Sequence, residues 1–139
     1  MKKNRAISLI CALFFIVSLL VPSFASSPRA SDQIKMYWMD TTATEGAINI
    51  SFSMTGKVIM DKLGCESIYI YEKVGTAWVY DNGKTENNTG MSATQRGNHG
   101  NTITFSGTAG VEYMVVVTLF AENSAGRDTR SQTFYVTGK

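Results

Sequence analysis

The sequence predicts an all-β fold, a seven-stranded antiparallel sandwich, for the part of the chain that follows the N-terminal segment. Apolar residues in that part recur with a period of two rather than 3.6, which is typical of strands with one buried and one solvated face. The apolar segments are short, and Gly, Asn, Asp and Thr separate them about every ten residues, the spacing expected of a β-sandwich. No segment with a helical period competes with them.

The first 25 residues have the features of a secretory signal peptide. A basic start is followed by sixteen uncharged residues, 6–21, and the small residues Ser23 and Ala25 fit a cleavage site after Ala25. The uncharged run is shorter than the ~20 residues of a membrane-spanning helix, although a tilted or extended helix would permit an uncleaved anchor. Cys11 lies inside the run, where lipidation is not expected. We therefore expect a secreted, extracellular protein.

The charge of the mature part disfavours two classes of partner. Cleavage removes three basic and no acidic residues, so thirteen basic residues become ten against eleven acidic ones, and the net charge changes from +2 to −1. A near-neutral chain without a Lys/Arg cluster offers no electrostatic footprint for nucleic acid or an anionic membrane. We therefore expect neither as a partner after cleavage.

The mature part is long enough for one domain with one core. Residues 26–33 lack an apolar period and are expected to form a flexible lead-in, followed by a single domain over residues 34–139. Only Cys65 remains after cleavage, so the domain has no internal disulfide. Cys65 is either a small buried apolar residue, which the sequence favours, or the site of an intermolecular bridge in a dimer; we otherwise expect a monomer.

The first half of the domain contains four expected strands. They cover residues 34–39, 47–53, 68–71 and 78–80, where apolar and polar side chains alternate or aromatic and β-branched residues cluster. The pair Asn82-Gly83 favours the two positive φ angles of a tight turn, so it predicts a hairpin tip directly after the fourth strand.

The second half contains three more expected strands, at residues 102–106, 113–121 and 133–137. Residues 113–121 are apolar on both faces and should lie in the centre of a sheet, because such a strand at an edge would template aggregation. Residues 81–101 are rich in Asn, Gly, Thr and Gln, and are expected to form a long exposed loop or a loop around one short edge strand.

The second half resembles the fibronectin type III family of immunoglobulin-like sandwiches. Tyr113, followed by Val115 and Val117, is similar to the tyrosine corner of that family, and residues 121–126 match its Ala-x-Asn-x-x-Gly turn into the last strand. The resemblance implies an immunoglobulin-like sandwich in which the hydroxyl of Tyr113 bonds to upstream backbone. The chain is also similar to small secreted bacterial proteins, a similarity that implies no activity.

Further similarities and departures lie outside that corner. Residues 131–137 are similar to the last strand of the family, and residues 47–53 to its strand B, with Phe52 where the family usually has a buried tryptophan. Gly107 and Ala109 stand where the family has leucine and proline, so the match is incomplete.

The residues that carry catalysis or hold metals are few. His99 is the only histidine and lies in a Gly/Asn-rich segment, where an exposed position is favoured over a catalytic one. The acidic residues are scattered; Asp81, Glu86 and Asp128 could approach one another at loops, although solvated surface acids are favoured. The spacing of His and Cys fits no zinc site, and no calcium or phosphate loop is present. We expect no enzyme activity, cofactor or metal.

Four aromatic residues form the candidate binding site: Tyr69, Tyr71, Trp78 and Tyr80. Ile68 and Ile70 are expected to face inward, so Tyr69 and Tyr71 should point outward. Trp78 and Tyr80 are two residues apart on the next strand and should share one face of it. Four such rings could form a flat platform that stacks on a sugar or anchors a protein. The other interpretation, which the pattern favours, is that Trp78 fills the core and the tyrosines only stabilise the sheet as cross-strand pairs.

The sequence therefore predicts a secreted, non-catalytic binding module for an unknown protein or glycan, which acts through the face of residues 66–81 or the 81–101 loop. The first alternative is a structural surface component that assembles with its own copies by strand addition at sheet edges. An enzyme or enzyme inhibitor ranks last.

Overall fold

The computed structural model describes residues 32–139, so the expected signal peptide and most of the expected lead-in lie outside the described residues. The described part is all-β, as predicted: strands account for 81% of it and helices for none. Every strand pair is antiparallel. The six strands are β1 (Ile34–Thr44), β2 (Ala47–Val74), β3 (Ala77–Thr85), β4 (Ser92–Ser106), β5 (Glu112–Asn123) and β6 (Gly126–Thr137).

The 28-residue strand β2 pairs with four of the other five strands. Its first half has β1 on one edge and β4 on the other, and its second half has β5 and β3 on the corresponding edges. The β1 ladder ends at Gly56, and the β4 ladder passes from Thr55 directly to Met60. β2 bends between these stretches, and the single sheet curls into a half-barrel.

The strand count differs from the prediction because two expected strands are one. The second and third expected strands, residues 47–53 and 68–71, are the two halves of β2. The intervening residues offered a glycine, Gly56, and charged side chains, which are typical turn signals. The chain nevertheless continues as one strand through a bend between Gly56 and Met60, because each half of β2 finds partners on both edges.

The hairpin between β2 and β3 turns at Gly75 and Thr76, so the predicted turn at Asn82 and Gly83 is wrong. Gly75 has the positive φ of 64° that the tight turn requires. Asn82 and Gly83 lie inside β3, next to a bulge that inserts Asp81 between the pairs Ile70↔Asn82 and Tyr71↔Tyr80.

Residues 81–101 do not form a long loop. β3 continues to Thr85, residues 86–91 turn, and β4 begins at Ser92. The first part of β4 has few buried side chains, so it shows no apolar alternation; its backbone pairing with β2 defines the strand instead. The prediction of a loop was therefore wrong for a physical reason: a backbone ladder does not require an apolar side-chain pattern.

The core lies inside the curl, between the two halves of β2 and the strands paired with them. The predicted inward positions are buried, as are four methionines that carry no strand signal; methionine adapts to irregular gaps such as those left by a bent strand. The buried positions are Ile48, Ile50, Phe52, Ile68, Ile70, Ile103, Phe105, Val115, Val117 and Leu119, together with Met39, Met54, Met60 and Met91.

The end of the half-barrel opposite the bend is held together by hydrogen bonds between loops and the C-terminus. Gly46 donates its backbone N–H to Lys139 (3.0 Å), and Gly138 donates to Val111 (2.9 Å). The hydroxyl of buried Tyr113 accepts from the backbone N–H of Thr108 at 2.9 Å, a bond of the kind that the resemblance implied. These bonds bring the first residues of β2 close to the end of β6.

Substitution of Gly83 by alanine should destabilise the domain. A Cβ at this position would lie 2.8 Å from the carbonyl oxygen of Ile68 and 2.9 Å from the ring of Tyr69, so the backbone or the ring must shift. We expect a loss of about 1–3 kcal/mol in the free energy of unfolding, measured with urea. The control Gly97→Ala meets no atom within 4 Å and should change stability by less than about 0.5 kcal/mol. Equal effects of both variants would contradict the close approach.

Substitution of Tyr113 by phenylalanine removes the acceptor for Thr108 and leaves the packing of the ring intact. The expected loss is about 1 kcal/mol of unfolding free energy, the net worth of a part-buried hydrogen bond. Tyr135→Phe makes the same chemical change on an exposed ring and should be near neutral. A Tyr113→Phe variant as stable as the parent in thermal and urea unfolding would show that the bond does not hold this end together.

Candidate functional site

Five aromatic side chains lie together on the outer side of the second half of the sheet. We call Tyr69, Tyr71, Trp78, Tyr80 and Tyr135 the aromatic face. The alternation in β2 places its two tyrosines outward, since Ile68 and Ile70 are fully buried on the other side. The β2–β3 ladder pairs Tyr71 with Tyr80 and Lys73 with Trp78, which puts the two β3 rings on the same side of the sheet.

The rings of the aromatic face form two contacting groups, three tyrosines that meet edge to face and one tilted pair. Tyr80 lies between two tyrosines of β2, with centroid distances of 6.4 Å to Tyr69 and 5.9 Å to Tyr71 and interplanar angles of 61° and 77°. Trp78 packs against Tyr135 at 5.7 Å with an angle of 50°. Such tilted pairs are favourable because the edge of one ring meets the face of the other. The predicted outward grouping is present, but the rings do not form a flat platform.

Trp78 is half-buried on this outer face and does not fill the core. The ammonium group of Lys73 lies 5.7 Å from its ring centroid, and the same ammonium group forms a 2.8 Å ion pair with Glu112. The tryptophan is therefore held between a cation and Tyr135 at the surface of the sheet.

Tyr135 was missing from the sites predicted from the sequence. Its position is determined by the register of two ladders: Tyr71 pairs with Met114, and Met114 pairs with Tyr135. The sequence contained one usable signal, the parity of the last strand, because Phe134 and Val136 pack against the core and leave Tyr135 to point outward. The alignment of this ring with those of β2 and β3 requires the register.

A second cluster joins charged residues from four parts of the chain around Arg127. Its guanidinium group donates to Glu122 at 2.6 Å and to Glu66 at 2.8 Å, and Glu86 Oε2 lies 3.4 Å away. Lys62 forms a 3.1 Å ion pair with Glu86. The same guanidinium group lies over the fully buried ring of Phe120 at 3.9 Å.

The acidic residues expected to approach one another do so only in part. Glu86 belongs to the Arg127 cluster, but Asp128 instead accepts from the backbone N–H of Gln33, and exposed Asp81 lies in the β3 bulge. Glu66 and Glu122, which no sequence pattern singled out, complete the cluster. The β2–β5 ladder pairs Glu122 with Lys62, and Glu66 lies at the irregularity of that ladder between Cys65 and Ser67.

The electrostatics of the Arg127 cluster are those of a structural ion network. Burial raises the pKa of Glu86, but the hydrogen bond from Lys62 and the charge of Arg127 outweigh it and lower this pKa overall. Burial lowers the pKa of Arg127, but the hydrogen bonds to Glu122 and Glu66 outweigh this effect, so the pKa is raised overall. A general acid needs a carboxyl whose pKa is raised. The pKa of Glu86 is lowered, which is the opposite of what that role requires.

His99 and Cys65 are engaged in packing. Nε2 of His99 lies 2.9 Å from the carbonyl oxygen of Gly90, and its ring contacts Phe52 at 5.8 Å. The thiol of Cys65 is buried and donates to the carbonyl oxygens of Ser67 and Thr118, each at 3.4 Å. Burial raises the pKa of this thiol to about 12, so it is not poised for disulfide exchange.

Within residues 32–139, no three histidine, cysteine or carboxylate side chains are arranged to hold a metal ion. This part of the chain also has no helix with the length and apolarity needed to cross a membrane. A comparison with protein-family models and one with curated protein sequences found no match.

Substitution of Glu86 by glutamine should make the stability of the domain less sensitive to acid. A carboxyl whose pKa is lowered on folding adds stability above its unfolded pKa, and this contribution is lost as the pH falls through the folded pKa. The variant should be about 1 kcal/mol less stable near pH 6, and the difference should shrink towards about pH 3. Urea unfolding at several pH values measures it.

The matched control is Glu112→Gln, which removes an exposed carboxylate. Among the ion pairs found in residues 32–139, Glu112 takes part in one, with Lys73. Its effect near pH 6 should stay below about 0.5 kcal/mol. If the difference between Glu86→Gln and the parent stayed constant down to acid pH, the ionised carboxylate would not be what stabilises the cluster.

Proposed function

We propose that this chain is a secreted, non-catalytic binding module and that its aromatic face docks a protein partner. The observation that carries the proposal is the grouping of five aromatic side chains from β2, β3 and β6 on one outer side of the sheet, away from the core. Two of them are largely exposed, Tyr80 at 57% and Tyr135 at 66% of their surface.

The chemistry of the aromatic face suits a protein interface. Tyrosine and tryptophan provide a large contact area with few rotatable bonds, and they dominate the binding energy of many interfaces. The edge-to-face contacts of Tyr80 with Tyr69 and Tyr71 hold these rings in place before binding, which lowers the entropy lost on association. The paired rings are inclined to each other by 50° to 77°, so they do not offer one flat surface on which a sugar ring could stack.

The contacts of the candidate catalytic groups support a non-catalytic role. The ring of His99 is engaged by Gly90 and Phe52, and the carboxylates of Glu66, Glu86 and Glu122 converge on one guanidinium group. A base or acid in a reaction needs a free lone pair or proton at a cleft. These groups instead satisfy one another within the fold.

The finer fold assignment, an immunoglobulin-like sandwich related to fibronectin type III domains, belongs to the same proposal. Two local features support it: the bond between Tyr113 and Thr108, and the turn at residues 124–125 in which Asn123 Oδ1 accepts from Ala125. A seven-stranded arrangement would require β2 to count as two strands, one on each side of its bend.

Self-assembly through sheet edges is the second candidate. It is favoured by the pairing of the described strands, since β3 and β4 each pair only with β2 and each retain an edge without a ladder. The bulge at Asp81 and the positive φ of 52° at Gln95 oppose it, because both interrupt the flat edge that a further strand needs. Light scattering over a wide concentration range separates the two, since strand addition requires oligomers and the binding module does not.

Substitution of Tyr80 or Tyr135 by alanine should weaken partner binding at least tenfold and leave the fold intact. The full chain, immobilised, is exposed to the secreted proteins of the producing cells and, in parallel, to a glycan array. The dissociation constant of each captured protein is then measured against the purified variants. Because these rings are largely exposed, the loss of unfolding free energy should stay near or below about 1 kcal/mol.

The matched control is Tyr37→Ala, an exposed tyrosine on β1 outside the aromatic face. A partner whose affinity falls equally for all three variants does not dock on the aromatic face. A glycan that binds and is lost with Tyr80 and Tyr135 would replace the protein partner, and a loss of stability without any change in binding would leave the aromatic face with a structural role only.

A further inference from the structure

A second apolar surface lies at the bend of β2. We call Met36, Trp38, Val58 and Ile59 the apolar corner. Their exposed fractions are 64%, 53%, 61% and 69%, which places three of them among the four most exposed large apolar side chains of residues 32–139. An exposed cluster of this kind marks an interaction surface more often than a solvated one.

The β1–β2 register and the bend of β2 together place these side chains on the outside of the sheet. Met36 pairs with Thr55 and Trp38 with Ser53, close to the end of the β1–β2 ladder at Gly56. Both residues therefore lie next to the bend. Val58 and Ile59 lie between the stretches of β2 that pair with neighbouring strands. A Cβ on Gly56 would come within 2.9 Å of the carbonyl oxygen of Val58, so the backbone turns tightly here and projects the next side chains away from the core.

The apolar corner is also where the chain enters the domain. The carbonyl oxygen of Gln33 accepts from the backbone N–H of Lys57 at 2.9 Å, directly before Val58. The uncharged run of residues 6–21 is separated from this point by the eleven residues 22–32, and eleven residues span at most about 40 Å. A bilayer that holds the uncharged run is therefore within reach of the apolar corner.

We propose that the apolar corner rests in the headgroup region of a phospholipid bilayer while the N-terminal segment tethers the chain. Tryptophan is enriched at this depth, because its ring is apolar and its N–H remains near water. Exposed Lys35 and Lys57 lie beside the corner, but Asp32 and Asp61 do so as well, so burial of apolar side chains carries the contact and charge adds little.

The contact depends on the tether. A few apolar side chains without a second signal give only weak, reversible membrane binding, so cleavage after Ala25 releases the domain. The contact thus orients the chain before release. It exists only while the N-terminal segment is attached, so no membrane partner is expected for the mature part. The aromatic face is not part of it: Trp78 pairs with Lys73, about 45 Å of extended strand beyond Ile59.

The two tryptophans provide an internal control for the test. The full chain is reconstituted in vesicles of phosphatidylcholine and phosphatidylglycerol, with and without brominated acyl chains. In Trp78→Phe the fluorescence reports on Trp38, and in Trp38→Phe it reports on Trp78. We expect brominated lipid to quench Trp38 at least threefold more strongly than Trp78. Adding Val58→Ser and Ile59→Ser to the Trp78→Phe chain should abolish most of that difference, with far-ultraviolet circular dichroism showing that the sheet is kept.

Equal quenching of the two tryptophans would overturn the proposal, as would a full chain that does not float with the vesicles. A second copy of the chain would cover the apolar corner instead if Trp38 were not quenched and the chain formed oligomers that dissociate in the Val58→Ser and Ile59→Ser variant. These outcomes do not depend on the aromatic face, so failure here leaves the proposed binding function standing.

Discussion

The backbone of β2 forms hydrogen-bonded ladders with β1, β3, β4 and β5, and no other described strand pairs with more than two neighbours. Because one continuous strand belongs to both halves of the sheet, the bend between Gly56 and Met60 decides how the halves face each other. The curl closes the core without a disulfide, and methionines at positions 39, 54, 60 and 91 occupy the space inside it. The geometry of each surface follows from this strand.

The aromatic face and the apolar corner are consequences of the same constraint. From Ile68 to Tyr71 the side chains alternate regularly, so the isoleucines fill the core and the tyrosines face outward. At the bend, residues 57–59 pair with no neighbouring described strand, and the apolar side chains of Val58 and Ile59 remain exposed. The two surfaces therefore differ in kind: the first is held by ring contacts across three strands, and the second projects from a short stretch without flanking ladders.

The Arg127 cluster stabilises the junction between the halves. Lys62 and Glu66 belong to β2 near its bend, Glu122 belongs to β5, and Glu86 lies in the turn between β3 and β4. One guanidinium group bridges three of these segments and stacks on Phe120, so the network ties the turn at residues 86–91 to the second half of the sheet. Its carboxylates are engaged within the fold, on Arg127 and, for Glu86, also on Lys62.

The amino-acid sequence by itself determined the all-β class, the inward positions such as Ile48, Ile70 and Val117, and the outward position of Tyr69, since side-chain alternation is a local property of an extended backbone. It also indicated the bond made by Tyr113, through a resemblance. Only the tertiary structure decided that residues 47–74 are one strand, that the hairpin turns at Gly75, and that Tyr135 joins the rings of β2 and β3. These features depend on ladder register and on partners far away in the chain, and a local pattern does not encode which distant strand supplies the hydrogen bonds.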